Sequence, residues 1–299
     1  MPLNVKPLAR RNKAMTSFTF AALTDHELRT LCVSLERCIS VRVGKVAAEV
    51  LADLDKHGYD QAPVYDVTGK SLLGLASTEY LRTIHASDGE ISNHDTDIRD
   101  EDNFLYIGAF LPIAELLSVL SSRRAVFVVR ESSATEYGYN QTNYGLLTVS
   151  DLNRHALRGR LYAVLSELES GLAAVIDAHF PEPWEWIQVL GESHQVSVLG
   201  FWKLSKRRGL DVGPIAATTL AQLLNVVART KELLQGFGYR SRNDFEDKLG
   251  SVPEFRNRIM HPVRPLVLTM AEVSSLRETF EAVLQFYEKV EDVRTRKAG

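Results

Sequence analysis

The chain has 299 residues, of which 45% are hydrophobic and 24% charged, and its formal net charge is −3. This length is ample for two domains, and the composition is typical of a folded globular protein. The negative net charge excludes a general attraction to nucleic acid, so an RNA or DNA site would have to be a local basic patch.

The N-terminal end, residues 1–24, is predicted to be a tail. Four basic residues lie within its first fifteen positions, but no apolar block follows them, which argues against a secretory signal peptide. No apolar run in the chain approaches the ~20 residues that a membrane-spanning helix needs. The sequence therefore predicts a cytoplasmic protein without a membrane segment.

The chain contains two cysteines, Cys32 and Cys38. If both lie on one helix, six residues separate them by about 9 Å along the axis, which is too far for a disulfide. Because no other cysteine is present, both are expected to be free thiols, as is typical of a reducing compartment.

A helix is predicted over residues 25–40, where apolar side chains recur at helical spacing. A second amphipathic helix follows and ends at His57-Gly58, which is a helix-stop signal. Two short β-rich runs come next, at residues 62–66 and 71–77, with a turn signal between them. The expected order is helix, strand, hairpin turn, strand and helix.

The same order recurs about 70 residues downstream, which indicates an internal repeat. Residues 112–122 predict a helix, and residues 124–130 and 144–150 predict strands. Between these strands, residues 131–143 are polar and predict an exposed hairpin insertion. The next helix is expected to begin at Asp151.

From Asp151 onward the strand signal disappears, and apolar residues step along one helical face. These residues are Leu152, Leu157, Leu161, Leu165, Leu168, Leu172 and Ile176. Further helices are predicted at about 191–206, 214–236, 243–248, 253–260 and 271–294. The predicted fold class is α+β, with two small sheets and their helices in residues 25–154 and an all-α domain in residues 155–299.

The paired units in residues 25–154 resemble a tandem cystathionine-β-synthase-type (CBS) module. The match rests on residues 62–77 in the first copy and on AVFVV and GLLTVSDL in the second. The run from Gly145 fits the family signature Gly-x-x-Thr-x-x-Asp throughout. The resemblance implies a regulatory adenine nucleotide, AMP, ADP or ATP. By position, Thr148 and Asp151 inherit its contacts, with Ser150 and Arg154 as phosphate neighbours.

The residue types at this spacing suit a nucleotide. A strand ends at Thr148 and a helix is expected from Asp151, so a hydroxyl and helix N-terminal N–H groups can meet a phosphate. A carboxylate at that edge can accept hydrogen bonds from both hydroxyls of a ribose. Ser150 or Asp151 could instead cap the helix, and the two roles are compatible.

The first copy departs from the signature, with Ser77 in place of threonine and Tyr80 in place of aspartate. A tyrosine cannot accept hydrogen bonds from two ribose hydroxyls as a carboxylate does. We therefore expect one functional nucleotide site, in the second copy. Degenerate modules of this family also serve as simple dimerisation elements.

Near the C-terminal end the sequence EFRNRIMHPV, residues 254–263, places an arginine, an asparagine and a histidine within six residues. Arg256 and His261 are about 140° apart on an α-helix, so a helix end or a partner chain would have to bring them together. This run resembles the motif of HEPN domains, which is an arginine, a polar residue, further residues and a histidine. The resemblance implies that residues 155–299 form a HEPN-like bundle, active as a homodimer or higher homo-oligomer.

The activity that this resemblance implies is metal-independent cleavage of RNA, in a toxin or phage-defence role, with an antitoxin protein as a partner and no catalytic cofactor. RNA carries its own nucleophile, the 2′-OH. A histidine such as His261 can move the proton, and the planar guanidinium of Arg256 can bind two phosphate oxygens. Asn257 can orient either group.

Non-catalytic interpretations account for the same residues. His261 could cap the helix C-terminus, where the dipole favours a cation, and Arg256 could pair with Glu254 or with an acid of the last helix. The protein would then be a non-catalytic ligand-sensing scaffold for dimerisation or partner binding. In the catalytic interpretation, the helix from Asp151 is the expected coupling element between the nucleotide site and the RNA site.

Two further features bear on RNA. The basic run at residues 203–208 could hold phosphates, or it could be a solvated helix end. Trp184, Trp186 and Trp202 are expected in the core rather than as base-stacking platforms.

Overall fold

The computed structural model describes residues 21–85, 89–92, 103–107, 110–130 and 145–298. Two compact units make up the chain. The first runs to Leu157 and takes in Val267–Val273, and the second consists of Arg158–Leu266 and Ser274–Gly299. The predicted α+β class is confirmed, because every described strand lies before residue 150 and the described remainder is helical.

The first unit contains short strands and helices in alternation. Its strands are β1 (Ala22–Thr24), β2 (Val33–Ser34), β3 (Val41–Arg42), β4 (Gln61–Tyr65), β5 (Leu72–Ser77), β6 (Phe104–Ile107), β7 (Phe110–Pro112), β8 (Ala125–Arg130) and β9 (Gly145–Thr148). Its helices are α1 (Asp25–Leu31), α2 (Ala47–His57), α3 (Thr78–His85) and α4 (Ile113–Leu120). The described residues of this unit also include the 3₁₀ turns Leu35–Arg37 and Val149–Asn153.

The predicted internal repeat is confirmed by the sheet topology. In the first copy β3 pairs with β4 in parallel, and β4 pairs with β5 in antiparallel fashion. In the second copy β6 pairs with β8 in parallel, and β8 pairs with β9 in antiparallel fashion. Each copy buries its own apolar cluster, around Val64 and Leu54 in the first and around Phe127 and Val129 in the second.

The predicted helix over residues 25–40 is wrong beyond Leu31. Cys32 is extended, and Val33–Ser34 form β2, which pairs antiparallel with β9. Pairing with a distant strand outweighs the helical spacing of Leu28, Leu31 and Leu35, which are all buried. The predicted tail also ends early, because Ala22–Thr24 form β1 against β7.

The helix predicted to begin at Asp151 starts four residues later. Residues Val149–Asn153 form a 3₁₀ turn, Arg154 is extended with ψ 154°, and α5 spans His155–His179. The predicted apolar stripe on this helix is confirmed, since its members from Leu157 to Ile176 are 0–1% exposed. The polar insertion predicted at residues 131–143 lies outside the described residues.

The second unit is built from helices. Besides most of α5 it contains α6 (Pro183–Val189), α7 (Glu192–Arg207), α8 (Leu220–Arg229), α9 (Lys231–Gly236), α10 (Arg242–Leu249), α11 (Val252–Met260) and most of α12 (Met270–Ala298). The sequence pattern did not predict α6, and the single helix predicted at 214–236 is divided. Thr219 caps α8 through a capping box with Gln222, and Thr230 is extended between α8 and α9.

The three tryptophans do not share one environment. Trp186 is fully buried, as predicted, and Trp202 is half-buried with its indole N–H donating to the Val212 carbonyl at 2.9 Å. Trp184 is 52% exposed, so its predicted place in the core is wrong. Pro183 is the first residue of α6 and Trp184 the second, and the Trp184 side chain lies on the exposed surface of this helix.

Gly145 is required where β2 meets β9. A Cβ added there would lie well inside van der Waals contact with the Cβ of Cys32. We expect Gly145→Ala to destabilise the protein by about 1–3 kcal/mol, because a backbone-linked carbon cannot be accommodated by a rotamer change. Chemical denaturation measures the difference.

Gly200→Ala on α7 is the matched control. No atom lies within 4 Å of an added Cβ at that position. Removing a glycine from a helix interior should stabilise by about 0.5–1 kcal/mol. Equal midpoints for Gly145→Ala and the wild type would contradict the close contact between β2 and β9.

Within the parts of the chain that the structure describes, no helix is both long enough and apolar enough to span a bilayer.

Candidate functional site

A cavity of about 730 Å³ opens in the first unit. Residues from both copies line it. The first copy contributes Gly58–Gln61, which lead into β4, and the second contributes Arg124 and the 3₁₀ turn that follows β9. The four predicted nucleotide-binding residues belong to this turn and its end.

The turn after β9 is held by a dense hydrogen-bond network around Asp151. The Thr148 backbone N–H and hydroxyl donate to Asp151 Oδ2 at 2.8 and 2.7 Å. The Ser150 hydroxyl lies 2.7 Å from the Thr148 hydroxyl, and the Arg154 guanidinium donates to Asp151 Oδ1 at 2.8 Å. The structure thus brings all four predicted residues together.

Asp151 acts as a cap in this arrangement, as the alternative interpretation predicted. Asp151 forms a capping box with Thr148 and is 5% exposed. A carboxylate offers about four lone-pair positions, and the Thr148 and Arg154 contacts use three of them. A ribose could bind Asp151 through both hydroxyls only if Arg154 moved away. The Arg154 side chain is 41% exposed, and such a movement would also break its hydrogen bond to the Thr30 carbonyl at 3.1 Å.

The corresponding turn of the first copy lacks the carboxylate. Ser77 caps α3 by accepting a hydrogen bond from the Tyr80 N–H at 3.1 Å. Tyr80 packs against the apolar cluster of that copy instead of projecting a charge. The expected loss of ligand chemistry in the first copy therefore has a structural counterpart in the packing of Tyr80.

Sequence reasoning missed several residues of the cavity. Arg37 and Arg124 are exposed cations on its lining, and Tyr59 is 50% exposed beside them. The Tyr59 ring stacks on His57 with a centroid distance of 6.1 Å and an interplanar angle of 11°. These residues come from three separate segments, so no local motif marks them as neighbours of Thr148.

A segment that follows α11 in the sequence forms another part of the lining. Val267–Met270 line the cavity although they are distant in sequence from both copies. The Asn153 side chain makes two hydrogen bonds to the backbone of Val267. Its amide group donates to the Val267 carbonyl at 2.8 Å and accepts from the Val267 N–H at 3.1 Å. Thr269 and Glu272 cap the following helix, α12, through reciprocal hydrogen bonds. The segment is therefore well anchored.

Both cysteines are free, as predicted, although they do not share a helix. Burial raises the pKa of Cys32 to about 12, and the charge of Asp151 adds to the effect. Burial and the charge of Asp151 also raise the pKa of Cys38, which lines the cavity.

The cavity position of Cys38 gives a test by alkylation. We expect maleimide to modify Cys38 before Cys32, at a rate that rises about tenfold per pH unit near neutrality, because the reactive thiolate is the minor form. ATP in the cavity should slow this reaction. Mass spectrometry of wild type and Cys38→Ser measures it, and an unchanged rate in saturating ATP would contradict ligand binding beside Cys38.

The run EFRNRIMHPV lies at the end of a helix. The helix α11 ends at Met260, and His261 is its C-cap with φ −103° and ψ 85°. The His261 N–H donates to the Asn257 carbonyl at 3.1 Å. The side chains of Asn257 and His261 are exposed, whereas Arg256 is half-buried. The backbone of His261 therefore forms an ordinary helix end, as one of the two interpretations predicted. A catalytic role for the His261 side chain stays a prediction.

A buried arginine satisfies the carbonyl groups at this helix end. Arg158, on α5, is 5% exposed. Its Nη1 donates to the carbonyls of Arg258, Ile259 and His261 at 2.8, 3.4 and 3.5 Å, and its Nη2 donates to the Arg264 carbonyl. Burial and the charge of Arg258 lower the pKa of Arg158. One guanidinium thus binds the Arg258 and Ile259 carbonyls at the end of the helix, and the His261 carbonyl also accepts from the Arg264 N–H at 3.0 Å.

Arg256 faces an acid, though not one of the predicted partners. Burial raises the pKa of Glu169 on α5, and the charge of Arg256 opposes that rise. The Leu220 N–H, at the start of α8, donates to the same carboxylate. Glu169 therefore links Arg256 electrostatically to a helix N-terminus in the second unit.

The basic run of residues 203–208 ends α7, as expected. Lys206 donates to Asp211 at 2.7 Å, and both side chains are at least 47% exposed. This contact matches the solvated helix end of the second interpretation. Among the described residues, no group of three or more His, Cys, Asp or Glu side chains could hold a metal ion.

Several solved structures resemble part of the chain. No family model matches it, and no curated protein matches it. A hemolysin-like protein containing a CBS domain from Oenococcus oeni PSU is 15% identical over 44% of this chain and 96% of its own, with a TM-score of 0.31. The CBS domain of a bacterial CNNM/CorC family Mg2+ transporter in complex with ATP is 19% identical over 42% and 82%, with a TM-score of 0.31. CBSX2 in complex with AMP is 15% identical over 46% and 98%, with a TM-score of 0.32.

Proposed function

We propose that the first unit is a CBS-type module that binds one adenine nucleotide in its cavity. The observation that carries this proposal is the turn Thr148–Asp151, which presents two hydroxyls and a carboxylate to a cavity of about 730 Å³. The volume is within the range of small-molecule sites, which is about 300–1,000 Å³.

Each part of a nucleotide has a matching group in this cavity. The ribose hydroxyls bind Asp151 when Arg154 moves from the carboxylate to the phosphates. Arg37 and Arg124 add two further cations for a polyphosphate. Ile39 and Val33 offer apolar surface to the base, and the exposed ring of Tyr59 offers a stacking face.

Thermal unfolding in the presence of nucleotides tests this proposal. At a concentration of about 100 times Kd, a ligand that binds only the folded state adds about 2.7 kcal/mol. AMP, ADP and ATP are compared with adenosine and with inorganic triphosphate, which separate base and ribose binding from phosphate binding. Stabilisation by triphosphate equal to that by ATP would reduce the site to an anion site and contradict the proposal.

A second function, RNA cleavage by the second unit, is favoured by the helix end around His261. Asn257 and His261 are exposed there, Arg256 is adjacent, and Arg158 holds the backbone that carries them. In the proposed reaction His261 takes the proton of the RNA 2′-OH, whose oxygen attacks the adjacent phosphorus. The bond from phosphorus to the 5′-oxygen breaks, and the proton that His261 took up is returned to the leaving oxygen through solvent, which gives a 2′,3′-cyclic phosphate and a 5′-hydroxyl.

Arg256 and Asn257 complete this proposed site. The guanidinium of Arg256 stabilises the charge that develops on the phosphorane oxygens, and Asn257 orients the 2′-OH or the phosphate. Because Arg256 and His261 are separated by about 140° of helical rotation, a homodimer is expected to supply the facing copy of the motif. The proposed regulatory scheme is that the nucleotide in the first unit controls this activity, in a toxin or phage-defence role.

Substitutions at the helix end distinguish an RNase from a scaffold. We expect Arg256→Ala and His261→Ala each to lower RNA cleavage by about 100-fold or more, since loss of one charge-stabilising or proton-transferring group costs that much. Cleavage is followed on a gel with chelator present, with and without ATP. His26→Ala and Arg242→Ala, at exposed positions elsewhere, are the matched controls.

The outcomes separate the two interpretations. Cleavage by wild type and by both controls, together with strongly reduced cleavage by Arg256→Ala and His261→Ala, supports the proposed site. If wild type, His261→Ala and Arg256→Ala behave alike under every nucleotide condition, the second unit is a non-catalytic dimerisation or partner-binding element. RNA retention in a gel shift without product formation would point to RNA binding alone.

A further inference from the structure

The position of the His261 side chain depends on its backbone, because the side chain is exposed and the residue lies beyond the last turn of α11. Arg158 binds carbonyls on both sides of it, at Arg258 and Ile259 within the helix and at Arg264 beyond it, and it also binds the His261 carbonyl. A helix end without such partners frays and its last residues sample several conformations. One buried guanidinium therefore selects the conformation of His261.

The rest of the loop after His261 is fixed in a similar way. The Arg258 guanidinium donates to the Leu266 carbonyl. The next residue, Val267, is held by Asn153 through its N–H and its carbonyl. Val267 also begins the segment that lines the cavity. The chain from His261 to Val267 is thus bound at its start, at its end and at Arg264 between them.

Two of the residues that bind this loop, Asn153 and Arg158, belong to the stretch that begins at the cavity turn. Asn153 stands two residues after Asp151 and donates to the Ser150 carbonyl at 3.2 Å as well as to Val267. Arg158 follows five residues later, on the first turn of α5. A change in the turn on ligand binding therefore reaches Val267 through Asn153 without any intermediate residue.

We propose that Arg158 is a positioning residue for His261, and that Asn153 makes the position of His261 depend on the nucleotide in the cavity. This inference rests on the proposed function of the cavity. It replaces the helix from Asp151 as the coupling element, because Arg154 interrupts that helix before α5. The link is a loop bound by three side chains, those of Asn153, Arg158 and Arg258, rather than one continuous helix.

The test follows His261 by nuclear magnetic resonance in the full chain labelled with ¹³C-histidine, and its signal is assigned with His261→Asn. Calorimetry first defines saturation with ATP and with AMP for each protein separately. Amide hydrogen exchange then reports on residues 261–267. The variants are Asn153→Ala and Arg158→Lys, and Asn243→Ala on the exposed face of α10 is the matched control.

We expect saturating nucleotide to move the His261 ring signal of wild type and to slow exchange in residues 261–267 by about threefold or more. In Asn153→Ala at its own saturation, the ring signal should stay in place and exchange should not change. Arg158→Lys should speed exchange at residues 261–264 by about tenfold without any nucleotide, because a single ammonium cannot reach all four carbonyls. Asn243→Ala should behave as wild type.

Two results would overturn the inference. One is a nucleotide-bound wild type whose His261 signal and exchange rates do not change. The other is an Asn153→Ala variant that responds to nucleotide as wild type does. A flat calorimetric titration of wild type would show that no nucleotide binds, which overturns the proposed function and the coupling with it. This outcome differs from failure of the coupling alone, in which the nucleotide binds but the His261 signal does not change. If Asn153→Ala does not fold, Asn153→Asp takes its place, since it keeps the acceptor for the Val267 N–H.

Discussion

Replacing Asp151 with alanine is expected to weaken adenine nucleotide binding by about 100-fold or more. Two hydrogen bonds from ribose hydroxyls to a carboxylate contribute about 1.5–3 kcal/mol each, and every 1.4 kcal/mol is a tenfold change in Kd. The variant also loses the capping box with Thr148 and the pair with Arg154, so the free energy of unfolding should fall by about 2 kcal/mol. Calorimetry measures the first effect and chemical denaturation the second.

Ser77→Ala is the matched control for this prediction, because it removes the corresponding cap in the first copy. It should cost about 1 kcal/mol of stability and leave the nucleotide affinity unchanged. Equal affinity losses in Asp151→Ala and Ser77→Ala would mean that the effect comes from general loosening of the first unit. An unchanged affinity in Asp151→Ala would place the nucleotide elsewhere.

Replacing Arg158 with methionine is expected to destabilise the second unit by about 3–5 kcal/mol. The apolar side chain fills similar volume but leaves the carbonyls of Arg258, Ile259 and Arg264 without the Arg158 donor, whereas the His261 carbonyl keeps the Arg264 N–H at 3.0 Å. Each buried polar group left unpaired costs about 1–3 kcal/mol, part of which water entry and relaxation of the loop recover. Thermal unfolding followed by calorimetry is the measurement.

Arg242→Met on α10 is the matched control for Arg158→Met. Arg242 makes one ion pair with Glu246, and its side chain is 50% exposed. Exposed pairs of this kind contribute about 0–1 kcal/mol, so its midpoint should remain close to wild type. If Arg158→Met is as stable as Arg242→Met, water satisfies the helix end and Arg158 does not organise it.

Much of the architecture could be predicted from the sequence because it depends on local periodicity. The stripe from Leu157 to Ile176 requires an amphipathic helix, and α5 buries it. The repeat could be predicted because the same strand and turn signals occur twice. Residues 33–38 could not, since β2 exists only through its pairing with Leu146 and Gly145, which no local pattern reveals.

For the same reason, only some residues of the candidate site could be predicted from the sequence. Thr148, Ser150, Asp151 and Arg154 lie within seven residues, so a motif could bring them forward together. Arg37, Tyr59 and Arg124 join them only in the folded chain. The partners of Arg158 could not be predicted at all, because its acceptors are backbone carbonyls, which are the same for every residue type.

The proposed binding of an adenine nucleotide in the cavity beside Asp151 is tested by calorimetric titration of the wild-type chain with AMP, ADP and ATP. We expect saturable binding of at least one of the three, with one nucleotide per chain, since Tyr80 replaces the carboxylate in the first copy. Absence of binding by all three at millimolar concentration would contradict the proposal, as would two equivalent sites per chain.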